Sequence, residues 1–184
     1  MREKKKMNFI YRLFLAINST YLIIVVYLVK KDYYFNFLEN YAHYFSWLIF
    51  ILTPIVLTAI SFLVLKFLSS DSLNKKSVVE VELANNSFLP TYLGYFFVSL
   101  SIDNIPTLCI VFIIIYVFTF LSQTLYFNPI FLLFNYNFYF IKTTNNVRIF
   151  LITKKLLRKP GEDDFEKLKR INNYTFIDIE KIKK

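Results

Sequence analysis

Glycine is almost missing from this chain: Gly94 and Gly161 are the only two in 184 residues. No glycine-rich loop is therefore present to cradle a phosphate. Cysteine and histidine occur once each, as Cys109 and His43, which excludes an intrachain disulfide framework and a Cys/His metal cluster. His43, with Asp32 and Glu39 as its nearest acids in sequence, reads as an interfacial polar residue. There is no plausible Ser/His/Asp order and no pair of carboxylates within an apolar run, so acid–base and nucleophilic catalysis lack candidates. We read the chain as no enzyme, with no cofactor. The apolar runs also lack a row of charges, which speaks against a dedicated ion or proton pathway.

What the chain has in abundance is apolar mass. Hydrophobic residues make up 56% of it and the mean hydropathy is +0.44, more than a soluble core can hide, so apolar surface must face lipid. The first run, about 9–29, follows a basic start of Arg2, Lys4, Lys5 and Lys6 with no small-residue cleavage site behind it, and reads as an uncleaved anchor. The second, about 44–67, holds Pro54 near its middle, where a missing donor bends a helix. Both can cross a hydrocarbon core of about 30 Å. From Phe88 to Ile141 only Asp103, Asn104 and Pro106 interrupt the apolar stretch. It reads either as two spans, 88–102 and 105–127, or as a re-entrant piece followed by one span.

Charge favours the first. Lys and Arg number five before or within the first run, two at Lys30-Lys31, three between the second and third runs, none at the Asp103 turn, and twelve from Lys142 onward. Four crossings with the N-terminus inside place nearly all of them in the cytoplasm, as the positive-inside bias requires. Tyr33, Tyr34, Tyr41, Tyr44 and Trp47 then lie where an outer aromatic belt belongs. The expectation is an inner-membrane, multi-pass protein with both termini cytoplasmic.

In the inner loop, Val79, Val81 and Leu83 alternate with Glu80 and Glu82, a strand pattern. Residues 136–141 and 147–153 read as a β-hairpin around the polar turn 143–146. After Pro160-Gly161, acids at Glu162, Asp163 and Asp164 and bases at Lys167, Lys169 and Arg170 suggest a short helix with an apolar stripe of Phe165, Leu168 and Ile171. A last strand follows, Tyr174 to Ile179. The fold class expected is an all-α transmembrane four-helix bundle with a small cytoplasmic α/β module formed by the inner loop and C-terminal tail. The division is 1–130 for the membrane part and 131–184 for the tail module.

Thr91, Gly94, Val98 and Ser101 recur at helical spacing as a seam of small residues, and Thr119, Ser122 and Gln123 share a face with Tyr126. These are candidate packing or coupling positions within or between copies. Glu80, Glu82, Arg148, Lys154, Lys155 and Arg158 are candidate partner-facing residues. The basic tail is explained by topology and by attraction to anionic headgroups rather than by direct nucleic-acid binding.

Three strings carry a resemblance: Phe88-Leu89-Pro90-Thr91-Tyr92-Leu93-Gly94-Tyr95-Phe96-Phe97, Tyr126-Phe127-Asn128-Pro129-Ile130-Phe131 and Arg170-Ile171-Asn172-Asn173-Tyr174-Thr175-Phe176-Ile177. From about Val78 onward the chain resembles KwaA, the membrane subunit of the Kiwa anti-phage system. The resemblance implies a small inner-membrane protein that detects infection at the envelope and works with KwaB, a cytoplasmic DNA-binding effector. It supplies no catalytic motif. The function expected is a homo-oligomeric membrane sensor and scaffold that recruits or activates such an effector. The alternatives are a pore-forming or depolarising effector lined by Thr119, Ser122 and Gln123, and a transport or biogenesis accessory protein.

Overall fold

The computed structural model describes residues 2–36, 43–122 and 128–180. Two helices open it, α1 (Arg2–Thr20) and α2 (Leu22–Lys30). The break between them has a local cause: the hydroxyls of Ser19 and Thr20 donate to the carbonyls of Ala16 and Ile17 and compete with the helix's own bonds. α3 (Tyr44–Val64) continues as a 3₁₀ turn to Phe67 and leads into β1 (Ser70–Leu73) and β2 (Val78–Leu83). α4 (Leu89–Ser101) and α5 (Ile105–Leu121) then form a hairpin. Its tip is sharp because Asn104 accepts from the Thr107 amide and Pro106 begins the new helix. The one-turn α6 (Ile130–Leu133) precedes β3 (Asn137–Thr143), β4 (Arg148–Thr153), β5 (Phe165–Arg170) and β6 (Thr175–Asp178).

The helix ends sort into two levels. At one, the Lys30 ammonium donates to the carbonyls of Leu100 and Ile102 and pairs with Asp103 at 3.3 Å. This places a cation on the negative end of α4 and ties α2 to the hairpin tip. At the other level the start of α1 and the end of α3 meet the sheet.

That sheet has six strands in the order β1-β5-β6-β4-β3-β2, antiparallel except for the β4–β6 pair. One face, with Phe138, Phe150, Ile152 and Ile177, shares a single core with Tyr11, Leu15 and Leu65 of the helices. The opposite face, with Tyr139, Ile141, Leu151, Phe165 and Phe176, is closed by Leu157 from the connection between β4 and β5.

These observations overturn the expected all-α transmembrane four-helix bundle with a small appended module. The molecule is mixed α/β, and its largest core is built jointly by helices and strands. The tail helix expected after Gly161 is also replaced, by β5. Leu73 of β1 pairs with Phe165 and Asp71 with Leu168, so two steps on β1 match three on β5. That bulge puts Phe165 and Leu168 into the same core at a spacing of three, which mimics a helical stripe in the sequence.

Two segments, Lys6–Lys30 and Tyr44–Phe67, are long and apolar enough to cross a membrane, and α5 is a shorter apolar helix. Large apolar side chains stand uncovered along the helices, among them Leu63, Phe97, Ile110 and Phe118. A surface this apolar calls for lipid or a protein partner.

Candidate coupling site between helices and sheet

The junction is built from three layers. Its centre is aromatic. Phe62, near the end of α3, lies 5.0 Å from Phe131, 5.1 Å from Phe134 and 5.0 Å from Tyr136, ring centre to ring centre. Phe131 reaches on to Phe138, which stacks on Phe150 of β4. A displacement of α3 therefore meets the middle of the sheet through packed rings, which have no free volume to absorb it.

Beside the rings runs a strip of buried small polar residues. Thr58 Oγ1 accepts from the amides of Asn18 (2.8 Å) and Asn128 (2.9 Å) and donates to the Pro54 carbonyl (2.8 Å), which uses its full capacity. Asn128 also accepts from the Ile130 amide, starting α6. One threonine thus pins α1, α3 and the segment entering β3. The Asn18 carbonyl oxygen is buried without a hydrogen-bond partner among the described residues.

The third layer is the rim. The Asn8 amide donates to Ser69 Oγ (2.6 Å) and to the Arg170 carbonyl (2.9 Å), so α1 is stitched to the chain leaving α3 and to β5. Lys169, only 9% exposed, sends its ammonium to the Leu68 carbonyl (3.2 Å) and Ser70 Oγ (3.0 Å), with the Lys66 carbonyl at 3.4 Å. A cation here meets carbonyls just beyond α3 and complements its dipole. Arg170 Nε donates to Asp71 at 3.0 Å. Asn172 accepts from the Tyr174 and Thr175 amides, closing the β5–β6 turn. Between α1, β1 and this turn opens a cavity of about 540 Å³.

On the sheet, Asp178 is 2% exposed and accepts from the Thr153 hydroxyl at 2.8 Å and from the Glu180 amide. Burial raises its pKa above the ordinary carboxylate value. Asp164, bonded by the backbone amide and paired with the ammonium of Lys75, and Glu162, bonded by the amides of Arg158 and Lys159, are shifted down. The signs separate. Folded Asp178 binds its proton more tightly than the unfolded chain does, so its contribution to stability is lost as pH rises from the ordinary carboxylate range through its raised value. The contributions of Asp164 and Glu162 are lost below the ordinary range, as pH falls through their lowered values. Above the ordinary carboxylate range, where the two lowered acids no longer contribute a slope, the fall of thermal stability with rising pH that Asp178 causes is expected to be absent in Asp178→Asn.

The residues singled out in the sequence fall in several places. Thr119 is buried and within 3.1 Å of the Tyr95 hydroxyl, and the Ser122 hydroxyl donates to the Thr119 carbonyl. Thr91 is half-buried, while Gly94, Val98 and Ser101 face outward. Among the described residues, nothing outside its own helix lies within 4 Å of where a Gly94 side chain would begin, and the Ser101 hydroxyl donates to its own helix. Gly94, Val98 and Ser101 of the small-residue seam therefore pack on no other helix among the described residues. Gln123 and Tyr126, like Glu39 and Tyr41, lie outside the described residues. Glu80, Glu82 and Arg148 form a shallow mixed-charge patch with Lys142, on the sheet face that also carries the helices; Arg148 pairs with Glu82 and lies over Phe140. Lys154 lies over Tyr136, Lys155 pairs with Glu180, and the Arg158 backbone amide donates to Glu162.

Asn8, Thr58 and Lys169 did not stand out in the sequence. Thr58 was legible as a polar residue inside an apolar run, whereas Lys169 was hidden among the bases of the tail.

No curated protein and no solved structure matches the chain. The family model described as "Anti-phage protein KwaA" matches residues 11–177, a stretch that takes in α1 from Tyr11, the polar strip, the aromatic hub and the β5–β6 turn. The chain belongs to the KwaA anti-phage protein family.

Proposed function

We propose that this protein is a membrane-embedded sensor and scaffold of anti-phage defence, one that receives a disturbance in its helices and relays it through the junction to a soluble DNA-binding effector. The observation that carries this reading is the shared core: Tyr11, Leu15 and Leu65 from the helices pack with Phe138, Phe150 and Ile177 from the sheet. A helix displaced in the membrane cannot leave the strands in place. The reading puts the Lys30 and Asp103 level outside an inner membrane and the sheet, with both termini, in the cytoplasm. It is supported by the position of the described basic residues from Lys142 to Arg170, all on the sheet side. The role is reception and relay, without catalysis, cofactor or direct nucleic-acid contact.

Copies of the chain are expected to meet through the outward face of α4, where Gly94, Val98 and Ser101 offer a flat approach. The effector is expected on the sheet, whose edge strand β2 exposes Val79 and Leu83 and can accept an added strand.

Affinity capture of the full-length protein from its host, with and without phage challenge, tests the reading. Truncation after Lys142 is unsuitable because it removes β4, β5 and β6, so Glu82→Arg and Leu83→Asp serve as the surface variants. Recovery of one soluble DNA-binding protein, lost in these variants, is the expected result. An oligomer that recovers no such partner and conducts ions in liposomes would refute it in favour of a pore.

A further inference from the structure

The cavity beside α1 has a composition unlike the rest of the helical layer. Arg12 and Arg170 line it against a single acid, Asp71, with Asn173 and Ser70 as further hydrogen-bonding residues. Its volume, about 540 Å³, lies within the usual range for small-molecule sites. One wall is different: Phe9, about half exposed, meets Phe120 edge to face, and the Arg12 guanidinium lies 5.0 Å from the Phe120 ring centre. The cavity is thus lined by two cations and one acid, with an aromatic lip formed by Phe9 and Phe120.

Its depth matters as much as its lining. Asn8 and Arg12 fall in the first two turns of the apolar segment Lys6–Lys30, and Ser70 and Asp71 follow directly on the end of Tyr44–Phe67. If both segments cross a bilayer, the cavity stands at the inner headgroup layer, where arginine side chains reach from apolar surroundings toward phosphate.

We propose that this cavity is a binding site for a phosphate-bearing anion, held between Arg12 and the β5–β6 turn, with an anionic phospholipid headgroup as the source that its position and aromatic lip favour and a soluble phosphate ester as the other source of the same chemistry. The inference rests on the membrane reading for its lipid source. Asp71 acts as the internal competitor, because its carboxylate already engages Arg170. Occupancy of the site bears on relay, since Asn8 and Arg170 belong both to its wall and to the stitch between α1 and β5.

The sign of two variants tests this. The full-length detergent-solubilised protein is delipidated, supplied with phosphatidylglycerol, phosphatidylcholine of the same acyl chains or inorganic phosphate, and examined by native mass spectrometry. Wild type is expected to retain phosphatidylglycerol at least tenfold over phosphatidylcholine. Arg12→Gln is expected to cut that retention about fivefold, the effect of one interfacial cation, and Asp71→Asn to raise it; Lys31→Gln at the opposite level leaves it unchanged. A folding defect cannot produce opposite signs. Tight, Arg12-dependent retention of inorganic phosphate without lipid preference supports the site with a soluble source. Equal retention of both lipids and no phosphate, or no response to Arg12→Gln, overturns the proposal. Carbonate washing of membranes separates the two claims: a chain that resists it yet shows no selectivity refutes the site alone, whereas a chain released by it refutes the lipid source together with the membrane reading.

Discussion

Phe131→Ala is expected to lower stability by about 3 to 5 kcal/mol, the range for deleting a fully buried aromatic side chain. Phe131 has no exposed surface and touches Phe62, Tyr136 and Phe138, so its loss leaves a void where α3, α6 and β3 converge. The form of the unfolding curve is as informative as its midpoint. Because one core contains residues of both helices and strands, helical and sheet signals should be lost together in a single transition at a lower temperature. Melting of the sheet with the helices left intact, in either wild type or variant, would mean that the tail is an independent module after all. Unfolding in detergent, followed by amide hydrogen exchange in Tyr11–Ala16 and in β3, gives the comparison.

Lys169→Ala carries the second large effect. The ammonium group bonds Ser70 and the carbonyls of Lys66 and Leu68 just beyond α3, and without it the buried Leu68 carbonyl loses its charged donor. Hydrogen bonds from a charged donor and the orphaned acceptor together predict a loss of about 2 to 3 kcal/mol. A cation is also lost from the negative end of a long helix. Function should suffer more than abundance: the end of α3 would be released from β5 while Phe62 keeps it near the sheet, so defence measured by phage plating is expected to fall with the protein still in the membrane fraction. Unchanged defence and an unchanged melting temperature would remove Lys169 from the relay.

The contrast between these two residues explains what the sequence could and could not reveal. The helical runs were legible because they are continuous and two of their breaks are chemical, Lys30-Lys31 and Asp103-Asn104-Pro106, but α1 and α2 were read as one run starting near Phe9, and neither the start at Arg2 nor the break at Tyr21 was foreseen. Strands β2 and β3 were legible because apolar residues alternate there, as in Val79, Val81 and Leu83, and β4 and β6 as short apolar runs bounded by polar turns. β1 was not legible, since Ser70-Asp71-Ser72-Leu73 is short and polar, and its partner Phe165–Arg170 lies almost a hundred residues away. β5 was misread because a bulge spaces Phe165 and Leu168 as a helix would. With those two strands missing, the tail looked like an accessory and the joint core could not be foreseen.

The junction was legible only in part. Asn128 and Arg170 to Asn172 lie in strings that resemble the family, but their roles come from contacts distant in sequence: Asn128 to Thr58, and the Arg170 carbonyl to Asn8. Attention to spans three and four led instead to Gly94 and Thr119. A residue such as Lys169 carries no mark of burial in its neighbours, because bases in a tail are ordinarily solvated and only the fold brings this one under α3.

The account stands on the helices crossing a membrane with the sheet on the inner side, and this is measured most directly by the reach of a membrane-impermeant maleimide in intact spheroplasts. With Cys109→Ser as background, single cysteines are introduced by Asp103→Cys at the hairpin tip and by Asn146→Cys in the β3–β4 turn. Labelling is expected at position 103 from outside and at position 146 only after the membrane is opened. Labelling of both positions, or of position 146 alone, in sealed spheroplasts would contradict it.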